Sequence, residues 1–211
     1  MVAEQLAARG IEDRRVLDAM GELPRELFVP ERQGRHAYDD AALSIGAGQT
    51  ISQPWVVAAI LEALELSGEE SALEIGTGSG YSAALLGMLT AHVVSVERLP
   101  ELIELARTAL ARAGIGNVDL VEGDGSAGVG EHPGPFDAIA VHAAVPGIPR
   151  ALLGRLAPGG RLVAPIAAGP DGEQLTAFRR VDEGGSEPEY EGRPFAAVRF
   201  VPLIGDAGYS E

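Results

Sequence analysis

Apolar positions along the chain change rhythm near residue 71. Before that point Leu6, Ile11, Val16, Leu17 and Met20 recur at helical spacing, so residues 4–22 are expected to form a helix interrupted by Gly10 and closed before Pro24. Residues 25–50 carry Phe28, Pro30, Tyr38 and Ile45 without a clear period and read as irregular. A second helical pattern runs from Ser52 to Leu66, with Ser52 as candidate N-cap and Pro54 in the first turn.

From Ser71 short apolar runs alternate with helical patterns. Ala72–Ile75, Val93–Val96, Val118–Val121, Phe136–Val141 and Arg161–Pro165 are expected strands. Tyr81–Leu89, Leu102–Ala113 and Pro149–Leu156 are expected helices, the second of them closed by Gly114. Strand–helix alternation predicts an α/β class with a doubly wound, mostly parallel sheet and helices on both faces. Leu175–Leu203 reads as strands around a polar turn, Asp182–Glu187, that complete the sheet antiparallel. With no repeat or linker, one domain is expected over 1–211, with 1–66 as an N-terminal helical segment packed on a cofactor-binding sheet of 67–211.

Composition removes several classes of chemistry. The 211 residues carry 16 basic and 31 acidic side chains, a net charge of −15. That argues against a nucleic-acid partner, which needs a positive footprint, and against docking on an anionic membrane. There is no Cys, which excludes thiolate nucleophiles and thiolate metal sites and suits a cytoplasmic setting. There is no Lys either, which removes Schiff-base chemistry and the phosphate-loop lysine. No apolar run approaches the ~20 residues of a membrane span, and Met1–Gly10 lacks the apolar stretch of a signal peptide. The four histidines show no metal-ligand spacing, and no metal is expected.

The chemistry concentrates in the turn Gly76-Thr77-Gly78-Ser79-Gly80, which lies between a strand and a helix. Such a turn lets a ligand approach the backbone closely. Glu97 ends the next strand, 21 residues past Gly76, where an acid accepts hydrogen bonds from ribose hydroxyls. The glycine spacing departs from the dinucleotide pattern, because Tyr81 stands where that pattern has its third glycine. Glu74, just before the turn, suits an ammonium rather than a pyrophosphate. A nucleoside ligand with an amino-acid part and no phosphate meets these needs, and S-adenosylmethionine is such a ligand. Asp124 is read either as an acceptor for the adenine amino group or as an Asp-Gly turn residue.

These segments resemble the protein-L-isoaspartate O-methyltransferases. Leu73–Tyr81 is similar to the family's first motif; Ser95-Val96-Glu97-Arg98, Gly123-Asp124-Gly125 and Pro158–Pro165 match later ones. More specific are Pro24–Pro30, Gly46–Pro54 and Val198–Leu203, which lie outside the general cofactor motifs. The likeness spans nearly the whole chain. It implies a Rossmann-like, seven-stranded methyltransferase fold. The implied reaction is S-adenosylmethionine-dependent methyl esterification of the α-carboxylate of L-isoaspartyl residues, and more weakly D-aspartyl residues, in damaged proteins and peptides. The implied enzyme is a cytoplasmic monomer.

Carried onto this chain, the resemblance makes Ser52 the catalytic positioning residue, with Gln49, Thr50, Ile51 and Val201 on the substrate side. Glu74, Gly76, Thr77, Gly78, Ser79, Glu97, Arg98, Gly123, Asp124 and Gly125 are implied to hold the cofactor. His142 departs from the family, where Thr or Gly is common, and is read either as a tolerated filler or as a substrate-binding residue that touches the substrate carboxylate or a water beside it. The alternative is a relative that methylates aspartate in a dedicated peptide to install an aspartimide. A non-catalytic S-adenosylmethionine binder, a dehydrogenase and a nucleic-acid methyltransferase fit the residues less well.

Overall fold

The computed structural model describes residues 1–127, 129, 134–147, 149–169, 172–182 and 188–210. His132, and the expected polar turn beyond Asp182 up to Glu187, lie outside them. Seven strands form one sheet: β3 (Ser71–Ile75), β4 (His92–Glu97), β5 (Val118–Glu122), β6 (Phe136–Val141), β7 (Leu156–Ala167), β8 (Glu173–Arg180) and β9 (Tyr190–Val198). Their order is β5-β4-β3-β6-β7-β8-β9. The first five are parallel, and β8 and β9 are antiparallel additions, as the sequence predicts.

Neighbouring residues of the central strands enter opposite cores, which is why these strands read as continuous apolar runs. Ala72, Val93, Ala138 and Val163 join one core with helices α2 (Pro54–Ala63), α3 (Tyr81–Leu89) and α4 (Pro100–Ala113). Leu73, Val94, Ile139 and Leu162 join the other with the short α5 (Arg150–Leu153). The order reverses direction at β3, whose two neighbours are β4 and β6. A crevice opens at the carboxyl ends of strands flanking such a reversal, the usual ligand position in this class of sheet.

Four local expectations need correction. The first helix is not continuous: Val2–Leu6 and Ala7–Arg9 are separate turns, and Gly10 in the left-handed region (φ 91°) ends them. Helix α1 (Arg14–Glu22) then starts afresh, capped by Asp13, whose side chain accepts the Arg15 and Val16 N–H groups. Residues 43–51 are not irregular but a hairpin of β1 (Leu43–Gly46) and β2 (Gln49–Ile51). Its turn holds Ala47 and Gly48 both at positive φ, a twist that suits a two-residue hairpin.

Ser52 does not cap α2. The N-cap is Gln53, which makes no side-chain cap, because the residue before Pro54 is driven extended and the proline opens the helix. Finally, α5 is shorter than expected and β7 longer. The chain re-enters the sheet at Leu156, opposite Phe136, and passes an irregularity around Gly159 before regular pairing resumes at Arg161.

Candidate functional site

A cleft of about 300 Å³ lies at the carboxyl ends of β3, β4 and β6. Its floor is the turn Gly76–Gly80. The Gly76 N–H donates to the Val96 carbonyl at 2.9 Å and the Gly80 N–H to Thr77 at 2.9 Å, which folds the turn back on the sheet. Gly80 has φ 84°, and a Cβ there would lie 3.0 Å from the Ala106 side chain on α4, so only glycine fits easily.

Glu97 closes one side of the cleft. Its Oε2 accepts the Gly78 N–H at 2.9 Å, and its Oε1 accepts those of Arg98 (2.9 Å) and Leu99 (3.1 Å). Three backbone donors fix the carboxylate while leaving it lone pairs for hydroxyl donors. Leu99 and Val96 supply an apolar ledge, and Gly123 and Gly125 form the wall beyond it. At Gly125 a Cβ would lie 2.6 Å from the Ile75 side chain.

The β1–β2 hairpin forms the opposite wall. Ile45 packs over the glycine turn, and Gln49, Thr50, Ile51 and Ser52 all line the cleft. Val201–Ile204 closes the remaining side; the Val201 carbonyl accepts the Ala144 N–H at 2.8 Å, and Leu203 N–H donates to Ala144 at 2.8 Å.

Beneath the turn runs a buried polar chain. Thr77 Oγ1 and Ser95 Oγ are 2.6 Å apart, and Ser95 donates to Glu74 Oε2 at 2.5 Å. Glu74 Oε1 is buried without a hydrogen bond and lies 3.5 Å from His142 Nε2, which in turn lies 2.6 Å from Ser82 Oγ. Burial pushes Glu74 up to about 7 against the pull of the Ser95 and Ser82 hydroxyls. Burial also pushes His142 down to about 4, so this imidazole is neutral at neutral pH.

Over residues 1–208 the chain matches the family model for protein-L-isoaspartate(D-aspartate) O-methyltransferase. It is 50% identical to protein-L-isoaspartate O-methyltransferase 1 of Rhodopseudomonas palustris strain HaA2, over all of this chain and 84% of the relative. The enzyme of Methanoculleus marisnigri is also 50% identical, over 99% of this chain and 92% of that one. This chain belongs to the protein-L-isoaspartate O-methyltransferase family. A solved protein-L-isoaspartate O-methyltransferase superposes with TM-score 0.82 at 31% identity, covering 99% of this chain and 67% of its own. A Plasmodium falciparum structure of the same class, in complex with S-adenosyl-L-homocysteine, superposes with TM-score 0.79 at 25% identity over 96% of each chain.

The cofactor of this protein-L-isoaspartate O-methyltransferase family member is S-adenosylmethionine. The residues present fit it: an anchored carboxylate for ribose hydroxyls, glycines for close approach and an apolar ledge for a flat base. Of the residues singled out from sequence, the cleft gathers Gln49, Thr50, Ile51, Ser52, Gly76, Thr77, Gly78, Ser79, Glu97, Arg98, Gly123, Gly125, His142 and Val201.

Two others stand back from it. Glu74 is fully buried below the turn, and Asp124 turns its carboxylate to the Ser126 and Asp206 N–H groups, both at 2.8 Å. Sequence reasoning missed Ser82, Leu99 and Ile204 on the cleft wall. For Ser82 a signal existed, because the first helical turn after a glycine turn must face the ligand. Among the described residues, no helix is long and apolar enough to cross a membrane.

Proposed function

We infer that the cleft esterifies the α-carboxylate of L-isoaspartyl residues, and more weakly D-aspartyl residues, in damaged proteins and peptides. The observation that carries this reading is that one cleft joins two walls. The Glu97-closed glycine turn suits the cofactor, and the segment Gln49–Ser52 lies opposite it. S-adenosylmethionine supplies a sulfonium methyl, a group with a good leaving sulfur.

In this reading Glu97 holds the ribose, Gly76–Ser79 frame the amino-acid end, and Arg98, Gly123 and Gly125 border the base. Glu74 supports the turn from below through Ser95. Asp124 fixes the wall that Gly123 and Gly125 begin. The Ser52 hydroxyl donates to the substrate carboxylate, Gln49, Thr50 and Ile51 shape its pocket, and the Val201 main chain borders the peptide. His142, being neutral, offers a hydrogen bond beside the acceptor without adding charge.

No general base is needed, because an α-carboxyl has a reference pKa of about 3.5 and is ionised at pH 7. As the carboxylate oxygen bonds the methyl carbon, the carbon–sulfur bond breaks and its electron pair stays on sulfur. No proton moves. Catalysis by this chain is therefore the alignment of oxygen, carbon and sulfur in the cleft. The ester then cyclises without the enzyme to a succinimide, which hydrolyses partly to normal aspartate.

Residues 1–66 serve in this account as the substrate-side segment on the cofactor-binding 67–211. The working unit is a monomer with no nucleic-acid partner, acting in the cytoplasm. The test is mass-spectrometric localisation of a labelled methyl group in an isoaspartyl peptide. Label on the α-carboxyl, followed by succinimide, supports the reading; label on any side chain overturns it.

A further inference from the structure

Arg25 is fully buried in the turn Arg25–Phe28, outside the cleft but directly behind it. Its Nη2 donates to the Ser52 carbonyl at 2.6 Å and its Nε to the Ala37 carbonyl at 2.8 Å. The guanidinium stacks over the Tyr81 ring at 4.5 Å, while Nη1 is buried without a hydrogen bond. Among the described residues no carboxylate lies within ion-pair distance of Arg25.

In a chain with 31 acidic side chains, that is an unusual place to leave a cation. Taking a charge out of water without an ionic partner is costly. Burial lowers the Arg25 pKa, and the neighbouring Tyr81 and Tyr38 offset part of the effect. Guanidinium still keeps its proton at neutral pH. Two carbonyl dipoles and a ring face support the charge without cancelling it, so its field reaches the neighbouring cleft. Both groups it touches on that side, Ser52 and Tyr81, line the cleft. The incoming acceptor is itself a carboxylate.

We propose that Arg25 is a positioning residue for the substrate carboxylate. It holds the Ser52 main chain in place, and its uncompensated charge makes the substrate end of the cleft select an anion. This deepens the function inferred above and rests on it.

The test compares binding of an isoaspartyl peptide with binding of its α-carboxamide analogue, both in the presence of S-adenosylhomocysteine. Wild type should prefer the carboxylate by about tenfold or more. Arg25→Gln should lose most of that preference and Arg25→Lys should keep most of it, while the Kd for S-adenosylhomocysteine changes less than about twofold in both. If Arg25→Gln no longer binds S-adenosylhomocysteine, the Arg25→Lys ratio decides: preserved selectivity supports the proposal and lost selectivity overturns it. A wild type without the preference, or a glutamine variant that weakens both peptides equally, also overturns it. If wild type fails to methylate the isoaspartyl peptide, the function reading falls and takes this proposal with it. Methylation with an unchanged selectivity in Arg25→Gln removes the proposal alone.

Discussion

The Asp124 carboxylate accepts the backbone N–H of Asp206 at 2.8 Å, joining positions 82 residues apart. Ser126 Oγ adds a bond to the Ala207 N–H at 2.9 Å. Partial burial would raise the Asp124 pKa, but the Asp206 and Ser126 donors outweigh it and hold the carboxyl below its usual range. The C-terminal turn is thereby clamped to the loop after β5, and that turn carries Leu203 and Ile204 into the cleft wall. Asp124→Ala should weaken S-adenosylhomocysteine binding by about fivefold, the loss of roughly one net hydrogen bond, with little loss of secondary structure. Calorimetric titration checks this. Gly205→Ala should act in the same direction, since its Cβ would lie 2.0 Å from Asp124 Oδ1, and it should do less harm when Asp124 is already Ala.

Glu74 and His142 should give opposite pH dependences of stability. The folded Glu74 pKa, about 7, is above its unfolded value, so its contribution is full below pH 4.5 and is lost as pH rises towards 7. The folded His142 pKa, about 4, is below its unfolded 6.5, so its contribution is full above that value and is lost as pH falls towards 4. Each is worth about 3 kcal/mol at the extremes. In wild type they largely cancel between pH 4.5 and 6.5. Chemical denaturation should therefore show Glu74→Gln gaining stability as pH rises through that window, and His142→Thr losing it. Parallel profiles for the two variants would remove the assignment.

Glu97 is held by three backbone N–H groups and lines the cleft, where the function inferred above gives it the ribose. Glu97→Ala removes a charged acceptor and leaves the turn donors unpaired. The Kd for S-adenosylhomocysteine should rise by about thirtyfold or more, at roughly 2 kcal/mol for charged hydrogen bonds. The KM for the peptide at saturating cofactor should change much less.

Ser52 predicts the converse split. Its hydroxyl has no capping duty at α2, because Gln53 takes the N-cap. Ser52→Ala should lower kcat about tenfold while S-adenosylhomocysteine binding and thermal stability stay near wild type. A fall in stability of the size expected for a lost helix cap, about 1 kcal/mol, would instead restore the capping role.

What the sequence made legible follows the range of the interactions. Strand–turn–helix units such as Ile75–Tyr81 are local, and their period and glycines reveal them. The hairpin at 43–51 was hidden because its turn asks Ala47, a residue with no preference for positive φ, to adopt it beside Gly48. Gly10 was visible as an interruption but not as the left-handed stop that separates the first turns from α1. The Thr77–Ser95–Glu74 chain and the Ser82–His142 contact join separate elements, so spacing could not show them. Arg25 was least legible of all: an arginine in a turn is ordinarily exposed, and here it is buried against the Tyr81 ring and the Ala37 and Ser52 carbonyls.

The most direct measurement is initial-rate formation of S-adenosylhomocysteine with an isoaspartyl peptide and with its normal aspartyl twin. The account predicts turnover on the isoaspartyl peptide and none above background on the twin. Equal rates on the two peptides, or no turnover on either while the protein binds S-adenosylhomocysteine, would contradict it.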